Sequence, residues 1–295
     1  MDAQEILTKA SEALVNLSGK VIDVVDIKRP NSLDYALNLS KVVSKLSPLL
    51  GNMIEFNTIE LLNSYDWQGL GSWERQDPGF PDATFGSATI KPNPGIEIKA
   101  WFPFATEITA RFKESQRIFM DNPYINVALI AWLPEHIIWG KPKIINALVV
   151  SGESVAKARD THYHRPPSYI VLEPEDTSQR TGNLQQTNTN GYKFQEDKSD
   201  LQAAARIVRS WGTDKLIYNP DEMYQSILKE LQSQFIYRLD TNYAKIDRIE
   251  HNEIENFKTL VEETEFQGKT IKEWRRLLSG KVKDDVLVSE LKKIM

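Results

Sequence analysis

Phe80-Pro81-Asp82-Ala83-Thr84-Phe85 and, beyond the turn Pro92-Asn93-Pro94-Gly95, Ile96-Glu97-Ile98-Lys99-Ala100-Trp101 are the stretches on which the fold turns. Runs of β-branched and aromatic residues on either side of Pro-Asn-Pro-Gly predict a hairpin with strands at Ala83 to Lys91 and Ile96 to Phe102. Strand side chains alternate between faces, so Glu97 and Lys99 share one side and Ile96, Ile98 and Ala100 the other. Asp82, at the start of the partner strand, reaches the side of Glu97 and Lys99. Two carboxylates and an ammonium in this pattern suit a hard divalent cation held between Asp82, Glu97 and a main-chain carbonyl near Ile98, with the lysine facing a phosphate. A cross-strand ion pair on an exposed hairpin face satisfies the same spacing. Two partial versions elsewhere are incomplete: Pro220-Asp221 has no acid-x-lysine after it within reach, and Asp26-Ile27-Lys28 has no Pro-Asp before it.

Upstream, residues 3 to 20 and 32 to 48 carry apolar residues at helical spacing, with Asn31-Ser32 as N-cap of the second, and a third helix is expected from Asn52 to Tyr65. On its helical wheel Ile54, Leu61, Tyr65, Leu62 and Ile59 share an arc with Glu55 near the centre, and Glu60 lies opposite. A carboxylate on a core-facing stripe needs a partner, so Glu55 either assists a metal site or forms a salt bridge at a solvated helix end. Downstream, Glu107 to Met120 is expected as an amphipathic helix with Ile108, Phe112, Ser115 and Phe119 inward. Tyr124 to Leu133 and Ile144 to Val150 read as strands, the first buried on both faces, and Tyr169 to Leu172 as a further one. Hairpin, helix, strand and strand in that order imply an α/β fold around a central mixed sheet flanked by helices. Periodicity vanishes from Glu173 to Lys198. Helical patterning returns at Leu201 to Trp211, Met223 to Leu239, Asn252 to Glu265 and Thr270 to Leu278. The expected organisation is one catalytic and recognition domain over 1–215 and a helical C-terminal region over 216–295.

The chain has 295 residues, 26% of them charged, and no cysteine, which removes disulfides, thiolate zinc sites and cysteine nucleophiles. An acidic start without a basic, apolar leader and the shortness of the apolar run Ile125 to Leu133 lead to the expectation of a cytoplasmic protein with no membrane span. The formal charge of −5 speaks against simple counterion-release binding to nucleic acid, although an enzyme that encloses DNA needs only local positive charge.

Pro81-Asp82, Glu97-Ile98-Lys99, the upstream helix with Glu55 and the helix and strand that follow resemble the PD-(D/E)XK nuclease superfamily, in particular type II restriction endonucleases, over residues 50 to 135. The resemblance implies a restriction-endonuclease-like core and a Mg²⁺ cofactor on Asp82 and Glu97. It further implies that Lys99 orients the attacking water or stabilises the phosphorane, and that Glu55 assists. It also implies double-stranded DNA as substrate with 5′-phosphate products, a homodimer that cuts both strands, and a cognate DNA methyltransferase. Lys113 and Gln116, on the next predicted helix, are candidates for the DNA backbone or plain solvated residues. A second region completes the reading. His162, His164 and Arg165 precede a segment with Gln179, Arg180, Asn183, Gln185, Gln186, Asn188, Asn190 and Lys193, which lacks acidic residues from 177 to 195. Amides read adenine and arginine reads guanine in the major groove, so this loop suits base recognition, and its composition equally suits a solvated loop. With no cysteine and no further ligand at suitable spacing, His162 and His164 fit phosphate contact or packing better than zinc. A repair or structure-specific nuclease of the same superfamily and a non-catalytic DNA-binding protein are the alternative readings.

Overall fold

Three helices lead into the sheet, each started by a local device that the sequence supplies. The computed structural model describes residues 1–76, 79–105, 107–114, 116–163, 170–172, 192–194, 237–239, 245–280 and 282–295. The acidic N-terminus begins α1 (Ala3–Val15): the Asp2 carboxylate accepts the Glu5 N–H and Glu5 accepts the Asp2 N–H, each at 2.8 Å, a reciprocal capping box. Ser32 caps α2 (Leu33–Val42) by accepting the Tyr35 N–H. A 3-10 turn (Val43–Leu46) passes into α3 (Ser47–Asn63), which has Pro48 in its first turn and so begins earlier than its apolar arc suggests.

The central sheet has the spatial order β1 (Ser72–Arg75), β2 (Ala83–Gly86), β3 (Gly95–Trp101), β4 (Ile125–His136) and β5 (Trp139–Ser151). Only β3 and β4 run parallel, so the sheet is mixed, as expected. A parallel pair needs a crossover, and residues 102–124, which include α4 (Gln116–Asp121), provide it. The faces follow from alternation. Ala100 meets α3 at Gly51, where a Cβ would lie 3.5 Å from that of Ala100, and Asn126 donates to Ser11 of α1 at 3.0 Å. Ile96, Ile98, Ala100 and Asn126 therefore face α1 and α3. Trp101 points the other way, to Phe257 of α6 (Asn252–Glu263), with ring centroids 6.1 Å apart. Helices on both sides explain why β4 is buried without a break from Val127 to Pro134. After α6, a small hairpin of β9 (Glu265–Phe266) and β10 (Lys269–Thr270) leads to α7 (Ile271–Leu278) and α8 (Asp284–Ile294).

The chain divides into two compact units. Met1–Ala110, Gln116–Val155 and His251–Met295 form the first, with the five-stranded sheet. The second comprises Arg111–Ser115 and Ala156–Glu250; there β7 (Tyr192–Phe194) lies between β6 (Ile170–Leu172), parallel to it, and β8 (Tyr237–Leu239), antiparallel. The division expected at residue 215 lies outside the described residues, and the units interleave along the chain.

Several local expectations change. The second-unit backbone at Arg111 bridges to Lys245, so residues 107–114 are not helical and only Gln116–Asp121 is, yet Ile108, Phe112 and Phe119 are buried as the spacing suggested. Tertiary pairing has overridden a helical pattern. β2 stops at Gly86 rather than Lys91, because the Ser87 hydroxyl accepts the N–H groups of Thr89 and Ile90 at 3.2 and 3.3 Å and turns the chain. His162 lies in α5 (Gly152–Tyr163), not in an extended stretch. Tyr237–Leu239 is strand where a helix to Leu239 was expected; the rest of that helix, and the one at Leu201 to Trp211, lie outside the described residues. β1, α5 and α8 had no counterpart in the sequence reading. Among the described residues no helix is long and apolar enough to cross a membrane.

Candidate active site

Asp82 is set in place from two sides. Gln76, just past β1, donates its N–H to the Asp82 carbonyl at 2.9 Å, extending the β1–β2 ladder. β1 is in turn fastened to the end of α3 by Asn63, whose side chain accepts the Trp73 N–H at 2.7 Å and donates to the Trp73 carbonyl at 2.9 Å. Trp67, Trp73 and Phe85 form a buried edge-to-face triangle beneath, with centroids 5.5 to 5.9 Å apart. On the other side Gly95 starts β3 directly against Pro81, and a side chain there would collide with the proline ring. The glycine that reads as part of a turn thus also lets the Asp82 segment lie close against β3.

From this frame Asp82, Glu97 and Lys99 converge as the spacing requires. Lys99 Nζ lies 2.5 Å from Glu97 Oε1 and 3.2 Å from Asp82 Oδ2. The Ile98 N–H donates to Asp82 Oδ2 at 2.7 Å, and the Asp82 N–H donates to Glu97 Oε2 at 3.1 Å. The three side chains are only 17%, 10% and 15% exposed respectively, too enclosed for an ordinary surface ion pair. Burial pushes the Glu97 carboxyl up, Lys99 opposes the rise and the Asp82 charge reinforces it, which leaves Glu97 at about 7. For Lys99, burial acts downward but is outweighed by Glu97 and then Asp82, so its ammonium is held above the ordinary lysine value.

No family model, curated protein or solved structure matches the chain.

The donor set itself fits a hard cation. Two carboxylates share one ammonium, leaving the ionised cluster with net negative charge, and their oxygens are the ligand type that Mg²⁺ takes. Asp82 Oδ1 receives no hydrogen bond among the described residues. Ile98, expected to lend a carbonyl, contributes its N–H to Asp82. Since no group of three or more acidic or imidazole side chains gathers among the described residues, a cation here would be held by Asp82 and Glu97 with main-chain or water oxygens beside them.

The remaining candidates are placed differently. Glu55, half-buried on α3, pairs with Arg75 of β1 at 3.5 Å. Arg75 stands opposite Ala83 in the ladder, so alternation puts this pair on the α3 side of the sheet and Asp82, Glu97 and Lys99 on the other. Lys113 is exposed on a non-helical segment and Gln116 opens α4, so the two do not share a helix. Lys193 lies in β7. His164, Arg165, Gln179, Arg180, Asn183, Gln185, Gln186, Asn188 and Asn190 lie outside the described residues. Sequence reasoning missed Arg75 and Asn63. The short strand carrying Arg75 was hidden beside a glycine-rich turn, and an asparagine in a last helical turn reads as an ordinary helix end.

Proposed function

We propose that this chain is a Mg²⁺-dependent, sequence-specific double-stranded DNA endonuclease with a restriction-endonuclease-like core, a type II restriction enzyme of the PD-(D/E)XK class that acts as a homodimer in the cytoplasm. The observation that carries the reading is the enclosed convergence of Asp82, Glu97 and Lys99 on two adjacent strands. Bound Mg²⁺ supplies a Lewis acid for the phosphate and lowers the pKa of a bound water. The chain's own part is positional and electrostatic. Asp82 and Glu97 present oxygen ligands at a fixed separation, and Asp82 is oriented by the Ile98 N–H. Lys99 carries a mobile positive charge that can turn from the carboxylates toward a scissile phosphate oxygen, where charge accumulates in the pentacovalent transition state. In-line attack by water then leaves a 5′-phosphate and a 3′-hydroxyl. The amide-rich segment from Gln179 to Asn190 favours base recognition over the repair or structure-specific alternative, and a methyltransferase partner follows from the same resemblance.

A second reading has an observation of its own. Lys99 bridges both carboxylates at once, which is also how a purely structural ion cluster in a non-catalytic DNA-binding protein would look. Incubation of the full chain with plasmid DNA, in Mg²⁺ and in EDTA, separates the readings. Discrete Mg²⁺-dependent fragments are expected; nicking or smearing points to a repair nuclease, and intact DNA to the binding protein. Asp82→Ala and Lys99→Ala are expected to abolish cleavage while a gel shift still detects specific binding. Undiminished cutting by either variant removes the site assignment.

A further inference from the structure

We propose that Lys99 is a tethered counter-ion standing where a divalent cation is needed, so that cation binding and Lys99 compete for Asp82 and Glu97 and the ion enters only as the ammonium swings out. This rests on the nuclease reading of the same site and adds to it how the site is kept before the metal arrives.

The geometry argues it directly. A lysine that merely balanced one strand neighbour would contact Glu97 alone, but Nζ reaches both carboxylates, at 2.5 and 3.2 Å. Main-chain N–H groups also reach the two acids, from Ile98 to Asp82 Oδ2 and from Asp82 to Glu97 Oε2, so those hydrogen bonds and the bridging ammonium together hold the two acids close. Without the ammonium, two carboxylates with exposures of only 17% and 10% would face each other uncompensated, a costly arrangement. A divalent ion bound to the same oxygens would repel an ammonium left in place, at a separation where unit charges interact strongly in a partly dehydrated site. The two cations therefore exclude one another. Lysine suits the part because its head is a compact charge on a flexible four-carbon stem, able to leave the carboxylates without moving the strand.

Removing the charge while keeping the stem tests the idea. The full-length Lys99→Met variant is expected to melt at lower temperature than wild type in EDTA, to bind Mg²⁺ about tenfold more tightly by titration calorimetry, and to gain more in Tm from millimolar Mg²⁺ than wild type does. Equal or weaker Mg²⁺ binding by Lys99→Met overturns the inference. Should that variant fail to fold without metal, reductive methylation of the wild-type chain gives the answer by mass spectrometry. Lys99 is expected to react slowly in EDTA and faster in Mg²⁺, with exposed Lys41 as the internal reference; a rate unchanged by Mg²⁺ overturns the inference. The two levels stay distinguishable. Wild-type protein that binds Mg²⁺ and cuts DNA, paired with a variant whose affinity does not rise, sinks this inference alone. A chain in which neither form binds Mg²⁺ or cuts sinks the nuclease reading and this inference together.

Discussion

Glu97 is the residue at which the opposing forces of the site can be measured without any substrate. Its carboxyl is raised from 4.5 to about 7, above its unfolded value, mainly by burial and only partly offset by Lys99. The sign follows: the folded state holds the Glu97 proton more tightly than the unfolded one, so this group's contribution to stability is full below about 4.5 and lost as the pH rises through about 7. At ~1.4 kcal/mol per pKa unit the loss is on the order of 3 kcal/mol, large against a domain's net stability. Glu97→Gln cannot titrate there. In EDTA, wild-type stability is therefore expected to fall relative to Glu97→Gln between pH 5 and pH 8, seen as diverging urea midpoints. Parallel curves across that range would show that burial does not dominate at Glu97. The same shift bears on cation binding, because an ion must displace the proton from whatever fraction of Glu97 still carries one near neutral pH.

At the scale of elements, what was legible in the sequence was whatever follows from a fixed period, and what was not depended on contacts between distant segments. A period of two places Glu97 and Lys99 together whatever the rest of the chain does, and the unbroken apolar run of β4 announces a strand covered on both sides. The Arg75 that pairs with Glu55 was hidden because it sits on the unrecognised strand β1, which is held in place through Trp73 by Phe85 and Asn63 of other elements. Of the helix expected over 107–120 only the end from Gln116 is helical, and the part before it failed for a related reason. Burial of Ile108, Phe112 and Phe119 satisfies a helical pattern and an irregular segment alike, and only the bridge from Arg111 to Lys245, far along the chain, distinguishes them. The junction of β2 and β3 offers a test of how closely the elements must meet. Gly95→Ala forces a methyl group into the Pro81 ring and to 3.3 Å from the Ala83 carbonyl oxygen, an overpacking expected to cost ~1–3 kcal/mol. Because the strain falls on the segment holding Asp82, on the proposed nuclease reading the cleavage rate should fall further than the melting temperature implies. Asn63→Ala removes both side-chain bonds to Trp73, each worth ~1 kcal/mol, from the remote end of the same frame, and should lower stability with a smaller effect on rate. Gly95→Ala protein that folds and cuts at the wild-type rate would show that Asp82 need not be held where it is.

For the whole molecule the decisive matter is where the C-terminal helices belong. Residues 216–295 read as a separate helical region, a natural place for contacts between subunits, yet His251–Met295 is part of the same compact unit as the sheet. Phe257 packs on Trp101, two residues beyond Lys99 and on the same face of β3, and Gln267 donates to the Glu135 carbonyl at the end of β4 at 3.1 Å. Lys41 of α2 meets Asp284 of α8 at 3.0 Å, an exposed pair worth little by itself. The weight lies in Ile254, Phe257, Val261, Ile271, Trp274, Leu287 and Leu291, all buried. At ~1.5–3 kcal/mol for each large apolar side chain, their combined burial is on the order of 10–20 kcal/mol, comparable to the ~5–15 kcal/mol net stability that holds a typical protein folded. Truncation after Glu250 is therefore expected to leave a chain without a cooperative melt, prone to aggregate through the uncovered Trp101 face. If these helices served only to join two subunits, the truncated chain would instead be a well-folded monomer with a melting temperature close to that of the full protein. Size-exclusion chromatography with a thermal melt monitored by tryptophan fluorescence distinguishes the outcomes, since Trp101 lies on the face the truncation opens. A cooperative, monomeric fragment would return α6 to α8 to the subunit interface and leave strand β3, with Glu97 and Lys99, supported by α1 and α3 alone.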